Sequence, residues 1–170
     1  MAKPKPGVPY LIERPNQKMA VMKAKGDPNV VCAKYLPALY STVYGLRKTM
    51  GKFKVEKLRA RWPVFEDTPK DQWIGLYALP IPEKTKSLLA QNKVPGVIVA
   101  LENWAYGQLA EILHIGSYTE EAPNIAKLKQ FIADSGYQIV GEHEEKYLSD
   151  PRKTAKNKLQ TIIRYRVEKK

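Results

Sequence analysis

Apolar residues recur along this chain at two periods, two and three-to-four, and the switches between them mark out its elements. Met19 to Lys25 has the apolar content of a strand and stops at Gly26-Asp27-Pro28-Asn29, a strong turn or helix-start signal. From Val31 to Met50 the residues Tyr35, Leu36, Leu39, Tyr40, Val43, Tyr44, Leu46 and Met50 recur at three- and four-residue spacing, which predicts a helix with one buried stripe. Pro37 falls inside it, so either the regular helix starts near Pro37 or the helix is kinked there. Val55 to Trp62 and Trp73 to Leu79 read as strands, joined by the acidic connection Pro63 to Gln72. Pro80, Pro82 and Pro95 then punctuate a polar stretch, which makes Ile81 to Val94 the expected join between two halves.

The second half repeats the order. Tyr106 to Ile115 reads as a strand, and Gly116-Ser117-Tyr118-Thr119 turns into a helix capped by Ser117 or Thr119. Ile125, Leu128, Phe131 and Ile132 form that helix's buried stripe, and Ser135-Gly136 ends it. Gln138 to Leu148 and Leu159 to Val167 follow as strands. Each half is β-α-β-β, and Gly26 with Gly116, Arg61 with Tyr147, and Leu76 with Ile162 are equivalent points of a tandem duplication. The expected fold is therefore α+β: one domain over residues 1–170, made of two repeats at about 17–80 and 104–168. Antiparallel sheets, two main helices and a central groove between pseudo-symmetric halves complete it, and a groove at such a join is where a ligand is expected.

Composition narrows the setting. A length of 170 residues with 44% hydrophobic residues needs no covalent staples, and Cys32 is the single cysteine, so neither an intrachain disulfide nor a thiolate zinc cluster can form. The start, MAKPKPGVPY, lacks the apolar stretch of a signal peptide, and no run of 18 apolar residues occurs, so a soluble, cytoplasmic protein without membrane partners is expected. The net charge of +12 is uneven, with 13 basic and 3 acidic residues in the first 60. A basic face could attract nucleic acid. No helix-turn-helix, zinc knuckle, RNP motif or arginine-rich tract accompanies it, and direct nucleic-acid binding is disfavoured.

The stretch His143 to Pro151, HEEKYLSDP, concentrates the candidate chemistry. Alternation places His143, Glu145 and Tyr147 on one strand face, as a pocket for a cationic or hydrogen-bonding aromatic ligand, or a small acid/base site, would require. A strand this charged is ordinarily half exposed, and on its other face only Leu148 argues for burial against Glu142, Glu144 and Lys146. Trp62, Trp73, Tyr77, Trp104, Tyr40, Tyr44 and Tyr118 could supply a pocket wall, although packing explains any one of them equally well. His114 and His143 are the only histidines, no metal-ligand spacing occurs, and no cofactor fingerprint is present. Cys32, at the first helix's start, could have a lowered pKa but is better read as a small buried hydrophobe. Ser149-Asp150 lacks a nucleophile elbow and reads as a turn.

His114-Ile115-Gly116-Ser117-Tyr118 before a helix, then HEEKYLSDPRKT (143–154), then LQTIIRYRV (159–167), together resemble the GyrI-like small-molecule-binding family. KGDPN before the first helix and the tryptophan-ended strand at Trp62 extend the likeness over the whole chain. The resemblance implies a duplicated β-α-β-β fold shared with effector domains of multidrug-responsive regulators and stand-alone relatives of the gyrase inhibitor. It implies a cleft lined by aromatic rings with an acid at its floor. By position that acid is Glu145, beside Tyr147, with His114, Tyr118, Trp62, Trp73, Tyr77 and Tyr44 as candidate lining residues. One branch of the family hydrolyses cyclopropane-containing, DNA-alkylating compounds, and the YLSDPRKT run is similar to that branch. There Glu145, with Tyr147 or His114, would activate water. This chain departs from the stand-alone relatives at Leu58-Arg59-Ala60-Arg61-Trp62-Pro63, where they carry Leu-Glu-Gly before an aromatic pair. Arg59 makes this part of the groove more basic and shifts it toward neutral or anionic ligands. The expected partner is a small aromatic or drug-like molecule, either bound only or hydrolysed, by a monomer or homodimer. Docking onto a protein such as gyrase would use an exterior surface for which the sequence offers no distinct patch.

Overall fold

A computed structural model describes residues 3–89 and 94–170. The chain divides into a continuous unit, Asn16–Ala105, and a discontinuous one made of Met1–Pro15 with Tyr106–Lys170. Each is antiparallel sheet with one long helix, so the architecture is α+β.

In the continuous unit the strands are β2 (Gln17–Lys25), β3 (Arg59–Val64), β4 (Ile74–Pro80) and β5 (Val99–Trp104), in the sheet order β3-β4-β2-β5, with helix α1 (Pro28–Met50). Helix α1 starts at Pro28 rather than near Pro37. The Asp27 side chain accepts the Asn29 amide at 2.9 Å, and proline in the first turn removes an N–H that would have no helical acceptor. Pro37 lies on the exposed side, where the carbonyl of Ala33 that it leaves without a donor can turn to water. Leu39, Val43 and Leu46 form a buried stripe at the predicted spacing, whereas Tyr44, expected in the same stripe, is exposed. Part of the connection Ile81–Val94, expected as the join between halves, lies outside the described residues. Beyond it, β5 pairs with β2 and carries the continuous unit to Ala105.

The discontinuous unit orders its strands β1-β6-β9-β8, with β1 at Tyr10–Arg14, β6 at Gly107–Ile115, β8 at His143–Tyr147 and β9 at Gln160–Lys169. The short β7 (Tyr137–Ile139) also pairs with β9. Gln138 to Leu148 is thus two strands. Ile139 faces Val167 while Glu144 faces Arg164, so five steps on one side meet three on the other, and the chain bulges at Val140–Glu142. Helix α2 (Ala122–Asp134) lays Leu128 and Ile132 on Ala110, Ile112, Ile163, Tyr165 and Val167 to form the core of this unit. Burying each of these large aliphatic side chains contributes about 1.5–3 kcal/mol.

Cross-strand register corrects the alignment of the two repeats by one residue. Met22 precedes Gly26 by four positions and faces Tyr77, which faces Ala60. Ile112 precedes Gly116 by four and faces Ile163, which faces Glu145. Ala60 is therefore the counterpart of Glu145, and Trp62, not Arg61, that of Tyr147. A shift of one residue changes the face, so Arg59 and Arg61 belong to the opposite side of their sheet from Trp62.

Candidate functional site

The helix-facing side of the β6-β9-β8 sheet carries polar residues where Ile112 and Ile163 would lead one to expect more core. Glu145 lies in the same cross-strand row as these isoleucines, and Tyr147 lies in the row of Thr161 and His114. His143, Glu145 and Tyr147 share this face, as their alternation requires. His143 and Glu145 are buried, Glu145 at 8% exposure. They are therefore not the solvated face that so charged a strand ordinarily presents.

Burial of this face is tolerated because His143, Glu145 and Tyr147 are all hydrogen-bonded. His143 Nε2 lies 2.9 Å from Glu145 Oε1, and Nδ1 lies 2.8 Å from the Tyr165 hydroxyl. A carboxylate can only accept, so Nε2 carries the proton and, in a neutral ring, Nδ1 accepts from Tyr165. The Tyr147 hydroxyl donates to Glu145 Oε2 at 2.5 Å. Tyr118, in the 3-10 turn Tyr118–Glu120, packs edge-on against Tyr147 with ring centroids 5.8 Å apart and is 39% exposed. It is the solvent-side member of the group. Ser117 caps this turn through a capping box with Glu120, whereas Glu121 occupies the N-cap of α2 itself.

Glu121 is the member that the sequence did not disclose. It is 6% exposed, its carboxyl is in hydrogen-bond contact with Glu145, and its Oε1 is buried without a partner. Desolvation, then the adjacent negative Glu145, push the Glu121 pKa up, to about 10. Burial acts on Glu145 in the same upward sense, but the bond and charge of His143, with the bonds from Glu121 and Tyr147, outweigh it and hold that carboxyl well below its ordinary range. Two carboxyls in contact cannot both ionise cheaply, and the asymmetry decides that Glu121 keeps the proton. Sequence offered no signal to separate Glu121 from Glu120, since an acid at a helix start is ordinary.

A pH dependence follows from the raised pKa. Folded Glu121 retains a proton that the unfolded chain releases near pH 4.3, so its contribution to stability is complete below that value and declines as pH rises toward about 10. In Glu121→Gln the fall in stability between about pH 5 and 9 should be shallower, by up to about 1.4 kcal/mol per pH unit. Urea midpoints of both proteins across that range check it. Parallel curves would mean that no proton is shared.

The other expected residues are placed as follows. His114 is buried, with Nε2 2.9 Å from the Ser117 carbonyl oxygen and Nδ1 2.9 Å from the Asn124 amide, so the ring ties the turn before α2 to the helix's first turn. Trp62, Trp73 and Tyr77 belong to the continuous unit. There Trp62 meets Trp73 at 5.7 Å and Tyr77 at 5.5 Å, both edge-on. Tyr44 is exposed on α1 with the Arg47 guanidinium 5.4 Å from its ring centre. Arg59 faces Ala78 across the β3-β4 pair. The Cys32 thiol has its pKa raised, by burial above all, and so is not activated.

The sheet's opposite face holds a second buried polar group. Arg164 Nε donates to Glu144 Oε1 at 3.0 Å, and Arg164 Nη2 pairs with the same oxygen. Arg164 Nη1 donates to Glu111 at 3.2 Å, while the Tyr106 hydroxyl donates to Glu144 at 2.8 Å and that of Tyr10 to Glu111 at 2.6 Å. Glu144 is thus buried on an arginine, contrary to its expected place in water.

The family model of the GyrI-like small molecule binding domain matches residues 91–168, just under half of the chain, a span that includes Glu121, His143, Glu145 and Tyr147. This segment is similar to a GyrI-like domain. Outside the matched segment the likeness continues in three dimensions. The whole chain is similar to an uncharacterized conserved protein from Listeria innocua, at 26% identity and a TM-score of 0.81, over 96% of this chain and 93% of that one. It is similar also to a hydrolase from Listeria innocua, at 26% identity and a TM-score of 0.79, over 98% and 94% of the two chains. The C-terminal domain of EcmrR has the same fold, with a TM-score of 0.66 over 96% and 98% of the two chains, at 14% identity. No curated protein matches the chain. Among the described residues no helix is long and apolar enough to cross a membrane.

Proposed function

We propose that the GyrI-like domain takes up a bulky aromatic ligand that carries positive charge, with Glu145 as counter-charge and the Tyr118 and Tyr147 rings as the surface against which it packs. The observation that carries this reading is an ionised carboxylate kept nearly out of water beside two aromatic rings. Ring faces tolerate many ligand shapes, a cation over a ring contributes about 0.5–2 kcal/mol, and a desolvated carboxylate adds directional charge. Selection by charge and aromaticity rather than by detailed outline is the result.

Replacing Glu145 by Gln keeps the shape and removes the charge. Affinity for cationic aromatic dyes is expected to fall at least about tenfold, equivalent to about 1.4 kcal/mol, in a calorimetric titration. Unchanged affinity would remove Glu145 from the site.

A second reading, hydrolysis, is favoured by the single proton shared between Glu121 and Glu145 and by the similarity to a hydrolase from Listeria innocua. One ionised and one protonated carboxyl supply a general base and a general acid side by side. On a strained cyclopropane conjugated to a carbonyl, Glu145 would take a proton from water as its oxygen bonds to the ring carbon. The breaking C–C bond would send its electrons to the carbonyl, which Glu121 would protonate. Mass spectrometry separates the two readings: hydrolysis adds one water to the compound and stops in Glu145→Gln, whereas binding returns it intact.

A further inference from the structure

We propose that the Glu121–Glu145 pair recognises its ligand through an ammonium group bearing N–H, and that such a ligand displaces the proton the two carboxyls share. The inference rests on Glu145 being the ligand's counter-charge and specifies the ligand class.

Both Glu145 oxygens already accept bonds, Oε1 from His143 and Oε2 from Tyr147, and Glu121 adds its own contact. By contrast, Glu121 Oε1 is buried with no hydrogen-bond partner. A buried carboxyl oxygen without a partner is uncommon and loses the hydration it had in water. Glu121 occupies the N-cap of α2, where the helix dipole also favours negative charge.

A primary ammonium brings three N–H donors as well as its charge. It can serve Glu145 and the orphaned Glu121 oxygen together, whereas a quaternary ammonium brings charge alone. Charge balances in the exchange. The free pair is two carboxylates and one proton, net −1. The occupied pair is two carboxylates and one ammonium, again net −1, and the displaced proton passes to bulk water. The titratable groups around the pair are His143 and Tyr147 on β8, Tyr165 on β9 acting through His143, His114 on β6, and Tyr118 and Glu120 of the turn. Of these, His143 and Tyr147 are hydrogen-bonded to Glu145 itself and would stay with it on ligand entry.

The test is calorimetric titration of the full chain with 2-(1-naphthyl)ethylammonium and with its N,N,N-trimethyl analogue, each in two buffers of different ionisation enthalpy. The primary ammonium should bind about tenfold or more tightly than the trimethyl analogue, because only it has donors for the orphaned oxygen. It should release a proton, and its affinity should rise between about pH 7 and 9. In Glu121→Gln, with the fold checked by its melting curve, both proton release and the pH dependence should vanish. The proton count of the wild type decides the matter even if that variant does not fold. Equal affinities without proton release would overturn this inference and leave Glu145 as a simple counter-charge. Failure of the wild type to bind either probe would overturn both.

Discussion

Arg164→Met is expected to cost about 3–5 kcal/mol of unfolding free energy. Arg164 lies between Glu144 and Glu111 in their buried cross-strand row, and its three donor nitrogens all engage that group. Methionine fills most of the volume but takes the guanidinium away from two buried carboxylates. The penalty comes from those buried charges more than from the pairs themselves. The wild-type arginine has its pKa raised: burial alone would lower it, but Glu144, Tyr106 and Glu111 outweigh that effect, so it is charged at every pH of interest. Urea unfolding at neutral pH measures the deficit. A loss under about 1 kcal/mol would show that the network contributes little beyond filling space.

Trp62→Ala should cost a similar amount, about 3–5 kcal/mol, as truncation of a buried indole does. Trp62 is 6% exposed and edge-on to both Trp73 and Tyr77. The backbone is shaped to admit these rings. Any Cβ at Gly75 would stand 2.9 Å from Trp62 and 2.9 Å from Tyr77, so glycine is what lets them close over β4. Trp62→Phe should cost much less, under about 1.5 kcal/mol, because the Nε1–H it removes is buried without an acceptor. Equal losses for alanine and phenylalanine in a denaturant titration would show that the indole's outline, not its bulk, is required. The sequence had suggested Trp62 as ligand-facing. Its burial makes stability the first quantity to measure.

What could be read from the sequence was what local periodicity controls. Both helices have their buried stripes where three- and four-residue spacing predicted, and His143, Glu145 and Tyr147 share a face because alternation leaves them no alternative. The misses were of another kind. Strand β1 is five residues between Pro9 and Pro15, and β5 ends in Glu-Asn-Trp; both lie at sheet edges, where half-exposed positions weaken the alternation. The one-residue slip between repeats arose because Arg59 and Arg61 alternate as neatly as Ala60 and Trp62, and only cross-strand pairing chooses between the faces. Glu121, 24 positions before Glu145, and Arg164, 20 after Glu144, are partners made by packing. Nothing in the spacing of either pair announces it.

The pairing of β1 with β6 has a bearing on how the chain is made. During synthesis the continuous unit, Asn16–Ala105, emerges as one uninterrupted stretch in which each strand has a partner. Strand β1 emerges earlier yet must wait for a partner far downstream, since the Tyr10–Glu111 hydrogen bond spans 101 residues. Loop closure over that distance is slow unless the intervening chain has already condensed. The order of translation therefore favours the continuous unit as the first to fold, and the nascent chain carries β1 as an unpaired strand until β6 has left the ribosome.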